Sequence, residues 1–380
     1  MNAERLHAIA RALREDIEQT NAPDLLHQLA GALQQQVANP SDPNLQQQVS
    51  SLRQQLDEAL AQAPSSSFSP AWQQALEELG IADLFGEGLR AAVQEVFERN
   101  QITPAAAAEE LTKLSGRLAQ INTDLEGLMS ALETFNIGAE ELAFGEYEVG
   151  VLIPRVAVSN KLKPFARELI DLDRILLPFE ELTTGERPDY EIRSISSSAF
   201  QIFLSSPGAT VACIALTVER VVALYKQLLD IRLAHRQLKD SGVPKDTLGG
   251  IEEHASGHMA SGIDTIVEEL LTEFGQHLDD GRRHELRKAL KVSLNGIANR
   301  IDRGYYIEVR AGLLPPDEEG EDEDEGEGGP TSEDRQYVEA ISARQEGLRF
   351  MRLSGSSILS LPEADQDQPE GQQKKPKPKT

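Results

Sequence analysis

An unbroken heptad pattern is the feature that most constrains how this chain folds. Apolar residues recur alternately three and four positions apart, at Leu111, Leu114, Leu118, Ile121, Leu125, Leu128, Leu132 and Phe135. This spacing places all eight side chains on one face of an α-helix. Thr103 and Pro104 form a favourable N-cap and first-turn pair, so the helix is predicted to begin there.

The partner of this seam is open from the sequence alone. Few charged residues flank the seam, so it lacks the charge pattern that specifies parallel pairing in leucine zippers. We expect an antiparallel bundle within the chain, formed with the helix predicted at 45–60 and its neighbours. Self-association through uncovered parts of the seam is the alternative.

Short amphipathic helices are predicted upstream of the seam. Leucine and isoleucine recur at helical spacing in residues 4–19, 26–37 and 45–56. The serine- and proline-rich stretch at 64–70 predicts a linker. The sequence therefore divides this half of the chain into short helices at 1–63, the linker, and a helical module with the long heptad helix at 71–144.

The pattern changes after residue 144. Alternating apolar residues predict strands at 147–153, 190–204 and 305–310, and serines interrupt the second, which is either one bulged strand or two short ones. A single helix roughly 48 Å long is predicted from 208 to 239, followed by a glycine-containing loop at 242–250. Residues 145–312 therefore predict an α+β domain, a small sheet covered by long helices.

Residues 313–380 have the composition of a low-complexity tail. Asp317–Glu327 carries nine negative charges, and four lysines lie near the C-terminal end. We expect an acidic linker and a basic-ended, mostly disordered tail, interrupted by a short helix around 335–348 and a docking strand at 348–353.

The predicted fold class is therefore mostly α with a smaller α+β part. It comprises an N-terminal helical bundle with a heptad-seamed long helix, a small β-sheet covered by long helices, and a disordered charged tail.

Bulk composition narrows the classes of function. The chain has 380 residues and a formal net charge of -26, which disfavours binding of nucleic acid or an anionic membrane by the whole molecule. Its single cysteine, Cys213, excludes an intramolecular disulfide and suits a reducing compartment. The apolar run at 208–218 is too short to span a membrane, and no signal peptide is evident. We expect a cytoplasmic, prokaryotic protein without membrane association.

The sequence contains no catalytic signature. His254 and His258 have metal-ligand spacing for a helix, but the HExxH pattern is absent and nearby glycines favour a loop. Cys213 lies in an apolar helix without a neighbouring base, and the serines at 194–198 lack a GxSxG motif. Glycine-rich phosphate motifs are also missing. The sequence predicts no catalytic residue, no metal and no cofactor, and it favours a protein that is not an enzyme.

Basic residues are concentrated in one region of this acidic chain. Residues 282–310 hold eight lysines and arginines against three acids. The candidates for binding an anion or nucleic acid, which we call the basic row, are Arg282, Arg283, Arg287, Lys288 and Lys291. Residues spaced four apart share one helix face, so this row suits a phosphate or an acidic partner. An ordinary solvated face with salt bridges is the alternative.

The acidic run at 317–327 offers a further interpretation. It follows the basic row closely enough to fold back onto it and to compete with a polyanionic partner as an electrostatic gate. Deleting 317–327 tests this hypothesis, because unchanged nucleic-acid affinity at low salt would exclude the gate.

The parts of this chain are typical of proteins that join other molecules. Heptads, long helices and charged tails favour a non-enzymatic protein-interaction or scaffold protein, oligomeric and bound to a protein partner or to itself. The first alternative is a module that binds nucleic acid or a phosphate-bearing ligand through 282–310. A hydrolase whose site assembles from distant residues is less favoured.

Overall fold

The structure is a computed structural model that describes residues 3–139, 142–187, 189–196, 200–312, 314, 331–344, 348 and 356–363. Over these residues it contains twelve α-helices and a four-stranded antiparallel sheet. The predicted fold class, mostly α with a smaller α+β part, is confirmed. The predictions for the acidic run and the lysine-rich end fall outside the described residues.

Six helices form the N-terminal part: α1 (Ala3–Thr20), α2 (Ala22–Ala38), α3 (Pro43–Ala61), α4 (Pro70–Leu79), α5 (Gly86–Arg99) and α6 (Pro104–Thr134). They share one hydrophobic core. The segment at 64–70, predicted as a linker, contributes to that core through the buried Phe68. The backbone N–H of Ser65 also donates to the Asp16 carboxylate of α1 at 2.7 Å. The helices on both sides of this segment therefore form one unit.

The heptad helix is α6, and its seam is covered from within the chain. Leu111, Leu118, Leu125 and Leu132 are buried, and α6 packs chiefly against α2 and α1. The helix at 45–60, which is α3, packs on α2 and α5. Phe135, the last residue of the seam, is 74% exposed. One row of the seam is therefore covered within the chain, while Leu114, Ile121 and Leu128 are only partly buried.

The described C-terminal part contains four strands and six helices: β1 (Tyr147–Ile153), α7 (Leu162–Thr184), β2 (Glu191–Ser196), β3 (Phe200–Ser205), α8 (Gly208–Lys226), α9 (Leu229–Asp240), α10 (Lys245–Glu273), α11 (Asp280–Asp302), β4 (Tyr306–Ala311) and α12 (Ser332–Arg344). The strand order is β2-β3-β1-β4. Val151 of β1 pairs with Ile202 of β3 and Ile307 of β4. Each predicted strand region is a strand, and the region at 190–204 holds two, with a register shift between Ile192 and Ser194.

The single helix predicted at 208–239 is wrong, because the chain forms two helices there. The break follows from a tightened turn in which the N–H of Leu228 donates to the carbonyl of Tyr225, three residues earlier. Arg232 and His235 of α9 are buried. These two polar side chains pair with residues of α11 and α10.

The loop predicted at 242–250 is also wrong in its second half, because α10 begins at Lys245 and continues through Gly249 and Gly250. Further along this helix, Met259 and Ile263 are fully buried. Burial of that apolar face outweighs the low helix propensity of glycine.

His254 and His258 therefore lie on a helix, where the glycines had suggested a loop. Both are exposed, and Nε2 of His258 lies 3.2 Å from Oε1 of Gln227. Among the residues that the structure describes, no group of three or more His, Cys, Asp and Glu is placed to hold a metal ion.

Helix α8 is long and apolar enough to be a candidate membrane-spanning helix. In the structure, 72% of its apolar window is buried inside the protein. Cys213, within that window, is fully buried, and burial raises the pKa of its thiol. The apolar run at 208–218 therefore belongs to a helix that is mostly buried in the core of the protein.

The sheet face that turns away from α8 is polar and meets the N-terminal part. Glu148 of β1 is fully buried there, and its Oε1 accepts a hydrogen bond from Nε of Arg310 at 2.5 Å. The guanidinium of Arg5, on α1, lies 3.5 Å from the ring centroid of Phe203 and 4.0 Å from the Glu148 carboxylate. Removal of one partner from a buried charge pair of this kind strongly destabilises a protein, because the other charge is left buried without compensation. Arg5 therefore ties α1 to the sheet.

Candidate functional site

Helix α11 has two halves of opposite character, and both candidate binding surfaces lie on it. Its first half carries the basic row. In its second half every residue from Ser293 to Asp302 is buried, including the polar side chains of Asn295, Asn299 and Arg300. Buried polar groups in folded proteins are hydrogen-bonded, so this half of the helix needs polar partners.

Those partners lie in residues 356–363, which we call the tail segment. Four residues of α11 and one of α10 form the surface that contacts its polar groups, which we call the α11 groove: Ser256, Asn295, Asn299, Arg300 and Asp302. Oδ2 of Asp302 accepts hydrogen bonds from the backbone N–H groups of Ile358 and Leu359, both at 2.8 Å.

The next contacts along the groove also go to the backbone of the tail segment. Asn299 pairs with Leu361 twice, since its Oδ1 accepts from the N–H at 3.1 Å and its Nδ2 donates to the carbonyl at 3.0 Å. Nδ2 of Asn295 donates to the carbonyl of Pro362 at 2.8 Å. Oγ of Ser256 accepts from the N–H of Ser360 at 3.2 Å. Side chains of the α11 groove therefore bond to the main chain of the tail segment from Ile358 to Pro362.

Two aliphatic side chains anchor the tail segment. Ile358 and Leu361 are 2% and 6% exposed, and both join the core formed by the sheet and α8. Ser357 and Ser360 are exposed. Burial of two aliphatic side chains supplies the non-directional part of the binding energy, while the hydrogen bonds set the register.

The carboxylate of Asp302 is held from its other side by the fold itself. Its Oδ1 accepts hydrogen bonds from the hydroxyl of Tyr225 and from Nη1 of Arg232, both at 2.5 Å. Burial, followed by the neighbouring Asp302 carboxylate, raises the pKa of Tyr225, so its hydroxyl remains a donor. With Oδ1 engaged in this way, Oδ2 is oriented toward the peptide.

Arg300 forms the end of the α11 groove beside Pro362. Its side chain is 2% exposed, and its Nε donates to Oε1 of Glu168 on α7 at 2.6 Å. Nη1 of Arg300 donates to Oε2 of Glu363 in the tail segment at 3.0 Å. One guanidinium therefore joins α7, α11 and the peptide.

The basic row lies on the exposed half of α11, and carboxylates of α10 stand beside it. Nε of Arg287 donates to Oε1 of Glu268 at 2.5 Å, and Nζ of Lys291 lies 2.5 Å from Oδ1 of Asp264. The hydrogen bond from Arg287 lowers the pKa of Glu268, so this acid is charged at neutral pH. The two cations and two anions cancel in net charge.

The other members of the row differ in their surroundings. Nη1 of Arg282 donates to Oε2 of Glu285 at 2.6 Å, and Arg282 also pairs with the buried Glu181 of α7. Arg283 is half-buried and Lys288 is exposed. The structure thus brings the predicted row together on one helix and pairs three of its five residues with acids. The acidic run proposed as its gate lies outside the described residues.

A surface cleft of about 460 Å³ between α3 and α5 is also lined by polar side chains, including Arg53, Asp57 and Arg90. Arg90 donates to both carboxylate oxygens of Asp57, at 2.7 and 3.0 Å. This geometry is that of an exposed ion pair, which contributes little to stability and offers no general base for catalysis.

Sequence reasoning missed the α11 groove, and the docking strand that it predicted at 348–353 lies, except for Leu348, outside the described residues. The signal that was present is a polar stripe on α11, because Asn295, Asn299 and Asp302 are spaced four and three apart and share one helix face. A polar stripe of this kind lies either in solvent or under a polar covering element. Residues 356–363 hold three aliphatic residues and a proline just before a polar, charged stretch, which is the other half of that signal.

Comparison with protein-family models, with curated proteins and with solved structures gave no match to this chain. A function for the chain therefore rests on the geometry of α11.

Proposed function

We propose that this chain is a non-enzymatic protein-interaction protein that binds an extended peptide in the α11 groove. The observation that supports the proposal is the hydrogen bonding of the tail segment, in which six backbone N–H and C=O groups bond to side chains of the groove. Main-chain hydrogen bonds with a few side-chain pockets are a common mode of peptide recognition. The tail segment is the occupant supplied by the chain itself.

A partner peptide competes with the tail segment for the same groups. A tethered ligand acts at an effective concentration of about a millimolar when its linker is short and flexible. The tail segment is anchored by only two buried side chains, Ile358 and Leu361. A partner with further contacts can therefore displace it. A second copy of this chain is a partner of the required chemistry, because it carries the same tail segment.

A cytoplasmic location is part of the proposal. The single cysteine is fully buried and unpaired with another thiol, as suits a protein of a reducing compartment. In that setting the chain acts as a scaffold that holds a partner through one short segment.

The test uses the full chain with the tail segment released. Ile358→Asp together with Leu361→Asp puts two charges at buried positions, which drives the segment out of the groove. A fluorescent peptide with the sequence of residues 356–363, SSILSLPE, is then titrated into the protein and followed by anisotropy. We expect a Kd of about micromolar for this released variant and binding at least about tenfold weaker for the wild type, whose groove is occupied.

The matched control adds two aspartates at exposed positions of the tail segment, where they should not displace it from the α11 groove. Ser357→Asp with Ser360→Asp changes exposed positions of the tail segment, so this protein is expected to bind the peptide as weakly as the wild type. Circular dichroism confirms that each variant is folded. A folded released variant that does not bind the peptide contradicts the proposal. A wild-type dimer that dissociates in the released variant identifies a second copy as the partner.

A further inference from the structure

The side-chain carboxylate of Glu363, the last residue of the tail segment, is contacted by two residues of α11 and by Arg303, which follows that helix. Oε1 of Glu363 accepts a hydrogen bond from Nδ2 of Asn299 at 2.6 Å, and Oε2 accepts from Nη1 of Arg300 at 3.0 Å. Nη2 of Arg303 lies 3.8 Å from Oε1. We call Asn299, Arg300 and Arg303 the carboxylate clamp. Charge-assisted hydrogen bonds of this type are about twice as strong as neutral ones.

The clamp is oriented by the fold before a peptide enters. Arg300 is held through Nε by Glu168 at 2.6 Å and donates from Nη1 to the carbonyl of Gly296 at 3.2 Å. Nε of Arg303 donates to the carbonyl of Asn299 at 3.1 Å. Among the described residues, the charged groups at the clamp besides Glu363 are Arg300, Arg303 and Glu168. Without a peptide they sum to one positive charge, which an acidic side chain neutralises.

Proline fits the position before the acidic residue. Pro362 has no backbone N–H, and the groove offers it a donor for its carbonyl, which Asn295 supplies at 2.8 Å. The residue before a proline is restricted to extended conformations. Leu361, in that position, presents its N–H and its C=O together to Asn299. Proline at this position therefore favours an extended peptide.

We propose that the carboxylate clamp makes the α11 groove selective for peptides with two aliphatic residues three positions apart, then proline, then an acidic residue. This inference rests on the proposed function, since it specifies the partner of the same groove. The main-chain contacts supply affinity for any extended peptide. The clamp sets the register and rejects peptides that bring a neutral or basic side chain to Arg300.

The test compares four peptides on the released variant of the full chain. They are SSILSLPE and the same peptide ending in aspartate, glutamine or lysine, each with an amidated C-terminus because a free terminal carboxylate would supply a similar charge. We expect glutamine to bind about tenfold more weakly than glutamate and lysine more weakly still. Added salt should weaken the glutamate peptide more than the glutamine peptide.

A protein variant separates the clamp from a general loss of structure. Arg303 is half-exposed, so Arg303→Gln in the released variant is expected to remain folded and to reduce the preference for glutamate over glutamine. Equal affinity for all four peptides would contradict selectivity by the carboxylate clamp but not the proposed binding of peptides in the α11 groove. If no peptide binds, the proposed function itself is wrong. A ratio that is unchanged in Arg303→Gln removes Arg303 from the clamp.

Discussion

Asp302 and Ile358 are 56 residues apart in sequence and are joined by a hydrogen bond of 2.8 Å from the Ile358 N–H to Oδ2 of Asp302. The other oxygen of the same carboxylate bonds to Tyr225 of α8 and Arg232 of α9. One buried anion therefore connects two helices and the tail segment. Groups that share a hydrogen-bond network are energetically coupled, so binding in the groove and packing of α9 affect each other.

Replacing this anion should both destabilise the fold and loosen the tail segment. Asp302→Asn removes the charge that faces the buried Arg232 and places one amide group where two oxygens accept hydrogen bonds. We expect the free energy of unfolding to fall by about 3 kcal/mol, as for other broken buried ion pairs. Hydrogen exchange should become faster at the amides of Ile358 and Leu359. Asp264→Asn on the surface of α10 is the control, and equal effects of the two changes would contradict this account.

Gly150 is required where β1 lies between β3 and β4. A Cβ atom there would lie 2.6 Å from Cε1 of Phe203 and 2.7 Å from Cγ of Glu308, both on buried residues. Gly150→Ala should therefore lower the free energy of unfolding by about 2 kcal/mol in urea denaturation, the usual effect of overpacking. Gly127→Ala in α6 meets no atom within 4 Å and should raise it by about 1 kcal/mol. A stabilising Gly150→Ala would show that the strands move apart readily.

The hydrogen bond between β1 and α12 should make stability depend on alkaline pH. The hydroxyl of Tyr147 donates to Oδ1 of Asp334 at 3.0 Å, and burial, followed by this hydrogen bond, raises the pKa of Tyr147 to about 12. The unfolded pKa is about 10. The protonated phenol therefore contributes its full stability below about pH 10, and this contribution is lost as the pH rises through about 12.

Tyr147→Phe measures that contribution directly. The variant lacks both the hydrogen bond and the ionisation, so it should be less stable than the wild type at neutral pH by about 1 kcal/mol. The difference in urea midpoints should shrink between about pH 10 and pH 12. A difference that is constant with pH would mean that the phenol of Tyr147 titrates alike in the folded and unfolded chains.

The strands and the long helices were predictable because their signals are local. β1 spans Tyr147–Ile153, the stretch where apolar residues alternate. Its other face, with Glu148 and Gly150, is buried as well, because arginines from β2, β4 and α1 compensate the carboxylate. The alternation of apolar and polar residues therefore predicted the strand correctly. It did not predict that both faces of the strand are buried, because such alternation is typical of a strand with one solvated face.

The α11 groove was not predictable because its signals are distant from one another. The partners of Asn299 lie 62 and 64 residues away along the chain. Periodicity within a window of about 18 residues cannot register such a pairing. Arg232, just after the break that follows Lys226, likewise contacts a residue distant in sequence, Asp302, which lies 70 residues away.

The basic row remains an alternative site for nucleic acid, and the acids of α10 allow a sharp test of it. Asp264→Asn with Glu268→Gln releases Lys291 and Arg287 from their pairs. If the row binds phosphates, this variant should bind a single-stranded RNA more tightly than the wild type, with a salt slope steeper by about 0.7 for each released cation. Arg283→Glu with Arg287→Glu added to it should abolish the gain.

The matched control releases two cations elsewhere on the surface. Asp83→Asn with Glu109→Gln frees Arg117 and Lys113 of the N-terminal part from their exposed pairs and changes the net charge by the same amount. If RNA is attracted only by the net charge of the protein, the two double variants should bind RNA equally, because their net charges are the same. A gain confined to the α10 variant would assign phosphate binding to the basic row. No gain in either variant would leave the row as a salt-bridged helix face and the peptide groove as the binding surface of α11.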